Sequence, residues 1–189
     1  MNTNIFPKHW QKRPFVIFYS GFSLKNEASF FEPYLEKSEY TVAGFSYGAI
    51  KAAIHASEAT TRIDTLQLFS PAFFQTKKES FKRLQMGAFL KSKEEYIENF
   101  LSACFFPYKA QEVDLDEYAS ESQLRELLYF EWTKELMASI LSKGIRIEVF
   151  LGLEDAVIDV PSAREFFIPF SLVTSIRTGN HFLQEKNND

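Results

Sequence analysis

At 189 residues the chain has the length of one domain with a sizeable core, and 46% hydrophobic and 16% aromatic residues exclude a disordered polymer. A net charge of −4 argues against a general nucleic-acid binder, and the single Cys104 excludes an internal disulfide and favours a reducing compartment. No apolar run has the length of a signal-peptide core or a membrane span, so a cytoplasmic location is expected.

The first element is the apolar run Phe15-Val16-Ile17-Phe18-Tyr19, which reads as a strand buried on both faces and stopped by Ser20-Gly21. Residues 26–38, NEASFFEPYLEKS, read as a short helix in which Pro33 is the misfit. Tyr40 to Ala43 is the second strand, Ala49 to about Ser57 a helix, and Thr65 to Phe69 the third strand, stopped by Ser70-Pro71. Between Phe74 and Gly144 there is no strand signal. Helical spacing appears twice there, in Ile97, Phe100, Leu101, Cys104 and Phe105, and in Leu124, Leu127, Leu128, Trp132, Leu136 and Ile140 with Gly144 as C-cap. The second of these helices is expected on the sheet and the first in an inserted cap. IRIEVFLG (145–152) and SLVTSIRTG (171–179) are the fourth and fifth strands, with VPSAREFF a helix between them.

Strands alternating with helices predict an α/β fold: one mostly parallel sheet of about five strands, right-handed crossovers and flanking helices. A single domain is expected, with its core at about 14–73 and 122–189 and a helical cap at about 74–121 after the third strand.

The most informative stretch is Gly44-Phe45-Ser46-Tyr47-Gly48, two of the chain's 7 glycines placed around one serine where a strand gives way to a helix. Such a turn holds the serine hydroxyl at the carboxyl edge of the sheet, as a nucleophile elbow does. A plain turn with an inert serine is the alternative, so partners decide. There are three histidines. His55 lies nine residues along the helix that leaves the elbow, about 13 Å at helical rise, and cannot reach Ser46. His9 precedes the first strand in an irregular segment. His181, in TGNHF just past the fifth strand, shares the elbow's edge and is the expected base. For the acid, LGLEDAVID offers Glu154, Asp155 and Asp159. Asp155 falls on the tight loop after the fourth strand; Glu154 should point away, and Asp159 before Pro161 is explained by a helix N-cap. The expected catalytic set is Ser46, Asp155 and His181. Oxyanion donors are expected from the amide of Tyr47, after the nucleophile, and from the loop after the first strand, at Phe22. No metal-ligand spacing and no phosphate loop is present, so neither a metal nor any other cofactor is expected.

Two blocks of opposite charge abut. Residues 75–93 hold six basic residues and one acid, whereas 94–135 hold eleven acids and three basic residues. A solvated face is the usual meaning of such a run.

Through FVIFYSGFS, VAGFSYG, FLGLEDAVI and TGNHF the chain resembles the α/β-hydrolase superfamily, over roughly 14–50 and 145–183. More narrowly, through SGFSLKNEASFF, GFSYGA and the short core, it resembles the pimeloyl-acyl-carrier-protein methyl ester esterases of biotin synthesis, in a compact version. Two departures stand out. Ser20-Gly21-Phe22 occupies the place where relatives commonly carry His-Gly-Trp or His-Gly-Gly, and only 22 residues separate Gly21 from Gly44, too few for a further strand-helix unit. The resemblance implies a minimal α/β-hydrolase fold and a serine carboxylesterase that cleaves the methyl ester of pimeloyl-carrier protein. It also implies an acyl tunnel, for which Phe69, Phe73, Phe74, Phe105 and Phe106 are candidates, although core packing explains any one of them. An acyl carrier protein, strongly acidic, would be the partner, met by Lys77, Lys78, Lys82 and Arg83, with Lys91 and Lys93 in the same block. Another serine esterase or thioesterase, acting on a small acyl ester or lipid, and a non-catalytic interaction protein are the competing readings.

Overall fold

The computed structural model describes residues 16–186. All five expected strands form, as β1 (Val16–Tyr19), β3 (Thr41–Phe45), β4 (Thr65–Phe69), β6 (Arg146–Gly152) and β7 (Leu172–Ile176). They make one sheet in the order β1-β3-β4-β6-β7, every pair parallel. A second, two-stranded sheet was not expected. Its strands are β2 (Leu24–Lys25), just after the first turn, and β5 (Asp114–Leu115), paired antiparallel.

Register brings the carboxyl ends into line. Tyr19 is opposite Gly44, Phe45 opposite Phe69, Phe69 opposite Phe150, and Phe150 opposite Thr174. The loops that leave these strands therefore start from one edge. β3 and β4 are buried along their whole length, as strands covered on both faces must be.

The two faces carry different covers. Alternate strand residues Val42, Leu66, Leu68, Ile147, Val149 and Leu151 meet α1 (Tyr47–Glu58), α5 (Lys134–Ser142) and α6 (Val160–Phe167). Ala43, Phe45, Phe69 and Phe150 face the other way, onto Phe31, Phe105 and Phe182. Phe31 belongs to a single 3-10 turn, Glu27–Phe31, which is all that remains of the helix expected over 26–38. Because that segment crosses from β1 to β3 on the face opposite α1, while the chain advances in the same direction across the sheet, this crossover has the opposite hand to the other three. Uniformly right-handed crossovers are thus corrected: 22 residues between Gly21 and Gly44 do not suffice for an intervening strand and helix. Gln67 clamps the segment instead. Its side chain, 1% exposed, accepts from the Glu36 amide at 2.8 Å and donates to Tyr34 O at 3.0 Å and to Glu148 Oε2 at 2.8 Å.

Between β4 and β6 stand α2 (Glu79–Lys91), α3 (Lys93–Phe105), α4 (Glu121–Tyr129) and α5. α2 packs on both α3 and α4, and α5 packs on α1. The single helix expected from Leu124 to Ile140 is two, broken at Phe130–Thr133. Trp132 explains the break. Its backbone amide donates to Gln75 Oε1 at 2.7 Å and its indole to Ala72 O at 2.8 Å, while Thr133 caps α5 by accepting from Leu136 N at 3.1 Å. A continuous helix would keep the apolar spacing but leave the buried indole without its acceptor. Trp132→Phe keeps the ring and strands the Ala72 carbonyl, so urea unfolding is expected to show a loss of about 1–3 kcal/mol; unchanged stability would mean that the indole bond does not hold the break.

Candidate active site

The elbow rests on backbone contact. At Gly44 a Cβ would stand 2.2 Å from Gly48 O, and at Gly48 it would stand 2.0 Å from Tyr19 O and 2.6 Å from Ser20 O. No side chain fits at either place, so the two glycines let α1 fold back on β3 and press against the end of β1. Between them Ser46 has φ 51° and ψ −113°, strained for a residue with a Cβ. The surrounding chain holds it there: its amide donates to Phe69 O at 2.9 Å, and its carbonyl accepts from the Ala49 and Ala72 amides, both at 3.1 Å.

His181 and Asp155 come from the loops after β7 and β6. Ser46 Oγ and His181 Nε2 are 3.0 Å apart, and His181 Nδ1 and Asp155 Oδ2 are 2.6 Å apart. A carboxylate can only accept, so the Nδ1 proton faces Asp155 and Nε2 offers its lone pair to the serine O–H. The other Asp155 oxygen accepts from the Val157 amide at 2.7 Å and the Ile158 amide at 3.3 Å, which orients the carboxylate. Asn180, which sequence reading passed over, anchors the histidine loop. Fully buried, it donates to Phe105 O at 2.9 Å and to Gln184 Oε1 at 2.8 Å. Its signal was its place beside His181 in TGNHF.

The other candidates fall elsewhere. Glu154 is exposed. Asp159 caps α6, accepting from the Ser162 amide at 3.2 Å, the Ser162 hydroxyl at 2.9 Å and the Thr76 hydroxyl at 3.1 Å. Burial opposes its charge, but these bonds prevail and hold its carboxyl below the ordinary range. His55 shares a bond of 2.9 Å with the Tyr19 hydroxyl, and His9 lies outside the described residues. Cys104 is buried among the aromatics of the second face. Burial, and then the Asp155 carboxylate, pushes its thiol well above the ordinary value, so it stays protonated.

Among the described residues the amides of Phe22 and Tyr47 donate to no protein acceptor, whereas the Gly21 amide is taken by Glu27 Oε1 and the Leu24 amide by Gly21 O. Tyr47 is the first residue of α1, where an amide has no partner in its own helix. Phe22 and Tyr47 thus place one free donor on each of the two segments that meet at Gly48. The Tyr47 hydroxyl donates to Glu126 Oε2 at 2.5 Å, tying α4 to the elbow. Burial first, and Glu126 second, push that phenol far above its ordinary value.

Beside the site a cavity of about 530 Å³ opens between α2, α3 and α4, with Phe22, Phe74, Phe100, Leu124, Leu128 and Val157 in its wall. Ser46 and His181, 1% and 0% exposed, do not line it. Cavity and triad adjoin through shared residues: the Phe100 ring stands edge-on at 6.5 Å from the His181 ring, and the Val157 amide holds Asp155. Of the five phenylalanines expected to line a tunnel, only Phe74 does so. Phe69 stacks on Phe31 and Phe150, Phe73 packs on Phe166 and Phe167, and Phe105 stacks on Phe182, each filling the core beneath the strands. Phe106 is 62% exposed. The basic block divides likewise. Lys78 and Arg83 are exposed and Lys77 half-buried, but Lys82 is 8% exposed, with Nζ 4.9 Å from the Tyr129 ring centroid. No helix among the described residues is long and apolar enough to cross a membrane.

No family model and no curated protein sequence matches the chain. Solved structures do. A hydrolase from Oleispira antarctica superposes with TM-score 0.68 at 14% identity, over 88% of this chain and 84% of that one. A lipase-esterase related protein from Clostridium acetobutylicum gives TM-score 0.63 at 13% identity, over 88% and 86%. Naproxen esterase from Bacillus subtilis gives 0.62 at 13% identity, over 92% and 79%. The chain has the α/β-hydrolase fold. Within an α/β-hydrolase fold the order Ser46, Asp155, His181 is the expected order of nucleophile, acid and base.

Of the two neighbouring aspartates, Asp155 is bonded to His181 and Asp159 caps α6. Asp155→Asn is expected to slow labelling of Ser46 by a fluorophosphonate by roughly 10³- to 10⁴-fold, because the imidazole loses the tautomer that Asp155 selects. Asp159→Asn is expected to leave labelling intact and cost about 1 kcal/mol of stability. The reverse pattern would reassign the acid.

Proposed function

We propose that the protein is a serine carboxylesterase. The observation that carries this reading is the buried relay from Ser46 Oγ through His181 to Asp155, at 3.0 and 2.6 Å. Ser46 Oγ attacks the ester carbonyl carbon as His181 Nε2 takes its proton, and Asp155 stabilises the imidazolium. The amides of Phe22 and Tyr47 receive the oxyanion. Collapse breaks the bond to the alcohol oxygen, which leaves with the proton from His181. Water then attacks the acyl-enzyme, giving a proton to His181, and the second collapse returns that proton to Ser46 Oγ and releases the acid. Ser46→Ala is expected to fold normally and lose at least about 10⁴-fold in turnover. Substantial residual hydrolysis would remove Ser46 as the nucleophile.

The substrate we propose is the methyl ester of a pimeloyl chain carried on acyl carrier protein, hydrolysed to methanol and the free carboxylate. Three features support it. The sequence resembles those esterases at the elbow and at SGFSLKNEASFF. A cavity of about 530 Å³ with an apolar wall is the right kind of chamber for a single acyl chain. Lys78, just before α2, and Arg83 and Lys91 on it expose positive charge, and Lys91 borders the cavity, where an acidic carrier would be steered. Lys82 no longer belongs to that set. Lys78→Glu with Arg83→Glu is expected to raise KM for the carrier-linked methyl ester several-fold at low salt, and to leave a free small methyl ester unaffected. Equal rates on carrier-linked and free esters would favour a general esterase or a thioesterase of small acyl groups.

A further inference from the structure

The loop between β1 and β2 is held by a buried acid. Glu27 is 2% exposed, and its Oε1 accepts from the Gly21 amide at 2.7 Å, while Oε2 has no partner among the described residues. Burial raises its carboxyl above the ordinary range. Such a placement is unfavourable by itself, since a glutamate on a 3-10 turn could face water at no cost. What it holds is the segment Ser20–Ser23. Gly21 passes so close to the residue before the nucleophile that a Cβ there would stand 2.8 Å from the Phe45 ring. On the far side, Ser23 takes φ 61° and Asn26 φ 63°, and the Ser23 carbonyl accepts from the Asp116 amide at 2.9 Å, beside the β2–β5 pair. The Phe22 amide lies between these two anchors and is itself unspent.

We infer that Glu27 is a positioning residue for the oxyanion site: by binding the Gly21 N–H it turns the following amide, Phe22, toward the carbonyl oxygen of the substrate. The inference rests on the esterase reading above and deepens it. With its own amide engaged, Gly21 cannot serve as the second donor, so Glu27 removes Gly21 from that part and aims the next amide, Phe22. The carboxylate does not touch substrate; it acts through one backbone bond, and its service is realised only when negative charge develops on the ester oxygen.

The test uses the full chain and three variants. Glu27→Ala is expected to lower kcat by about 10- to 100-fold with KM within about 3-fold of wild type, since a displaced donor affects the transition state more than ground-state binding. Glu27→Gln keeps an acceptor oxygen at the same reach and is expected to recover most of kcat. A boronic acid inhibitor, which forms a tetrahedral adduct on the serine, is expected to lose affinity in proportion to kcat/KM, while binding of the product acid stays constant. If Glu27→Ala fails to fold, Glu27→Asp carries the test, because it keeps the charge and withdraws it by one methylene; the same fall in kcat is expected. A folded Glu27→Ala or Glu27→Asp with wild-type kcat overturns the inference, as does an equal loss of boronate and product affinity. Failure of the wild type to label at Ser46 with a fluorophosphonate would instead overturn the esterase reading.

Discussion

The arrangement depends on one contact between backbones: the start of α1 lies so tightly against the end of β1 that Gly48 has no room for a Cβ beside Tyr19 O. From that contact follow the return of α1 on β3, the strained φ of Ser46 and the meeting of the two segments that carry the free amides of Phe22 and Tyr47. The strain persists because the surroundings over-determine it, with three backbone bonds fixing the serine amide and carbonyl. Parallel register does the rest. With β1, β3, β4, β6 and β7 ending in line, the loops bearing Asp155 and His181 leave the same edge as the elbow, and their side chains reach it without a long excursion.

Buried polar groups are the cost of this economy, and three of them each hold a backbone segment in place. Gln67 clamps the 34–36 segment to the sheet. Asn180 seats the histidine loop on the end of α3. Glu27 seats the loop after β1. In each case an apolar residue of the same size would pack, but the backbone group it now satisfies would be left unpaired in the interior, which costs more than the bond returns.

The region between β4 and β6 is joined to the core at the site itself. Tyr47 binds Glu126 on α4, the Tyr108 hydroxyl donates to Thr178 O before the histidine loop, and β5 pairs with β2 just beyond the Phe22 loop. The cavity under α2, α3 and α4 therefore shares its wall with the residues that orient the triad.

Local pattern by itself determined the strands, the elbow and the three residues that meet at it. Apolar runs ended by Ser-Gly, Ser-Pro or Gly are short-range signals, and with three histidines in the chain a base could be chosen by position alone. Tertiary structure decided everything that depends on which polar group meets which. The spacing of Leu128, Trp132 and Leu136 is the same in one helix or two, and only the demand of the Trp132 indole for Ala72 O broke it. Phenylalanine alone does not distinguish a cavity wall from a core: Phe74 borders the cavity while Phe69, Phe73 and Phe105 fill the interior, because strand facing and stacking partners lie far apart in sequence. Lys82 looks like its neighbours in the charged block, yet one turn of α2 lays it on Tyr129. The hand of the β1–β3 crossover and the bond from the Gly21 amide to Glu27 were beyond sequence reading for the same reason: both depend on how the short segment after β1 settles on the sheet.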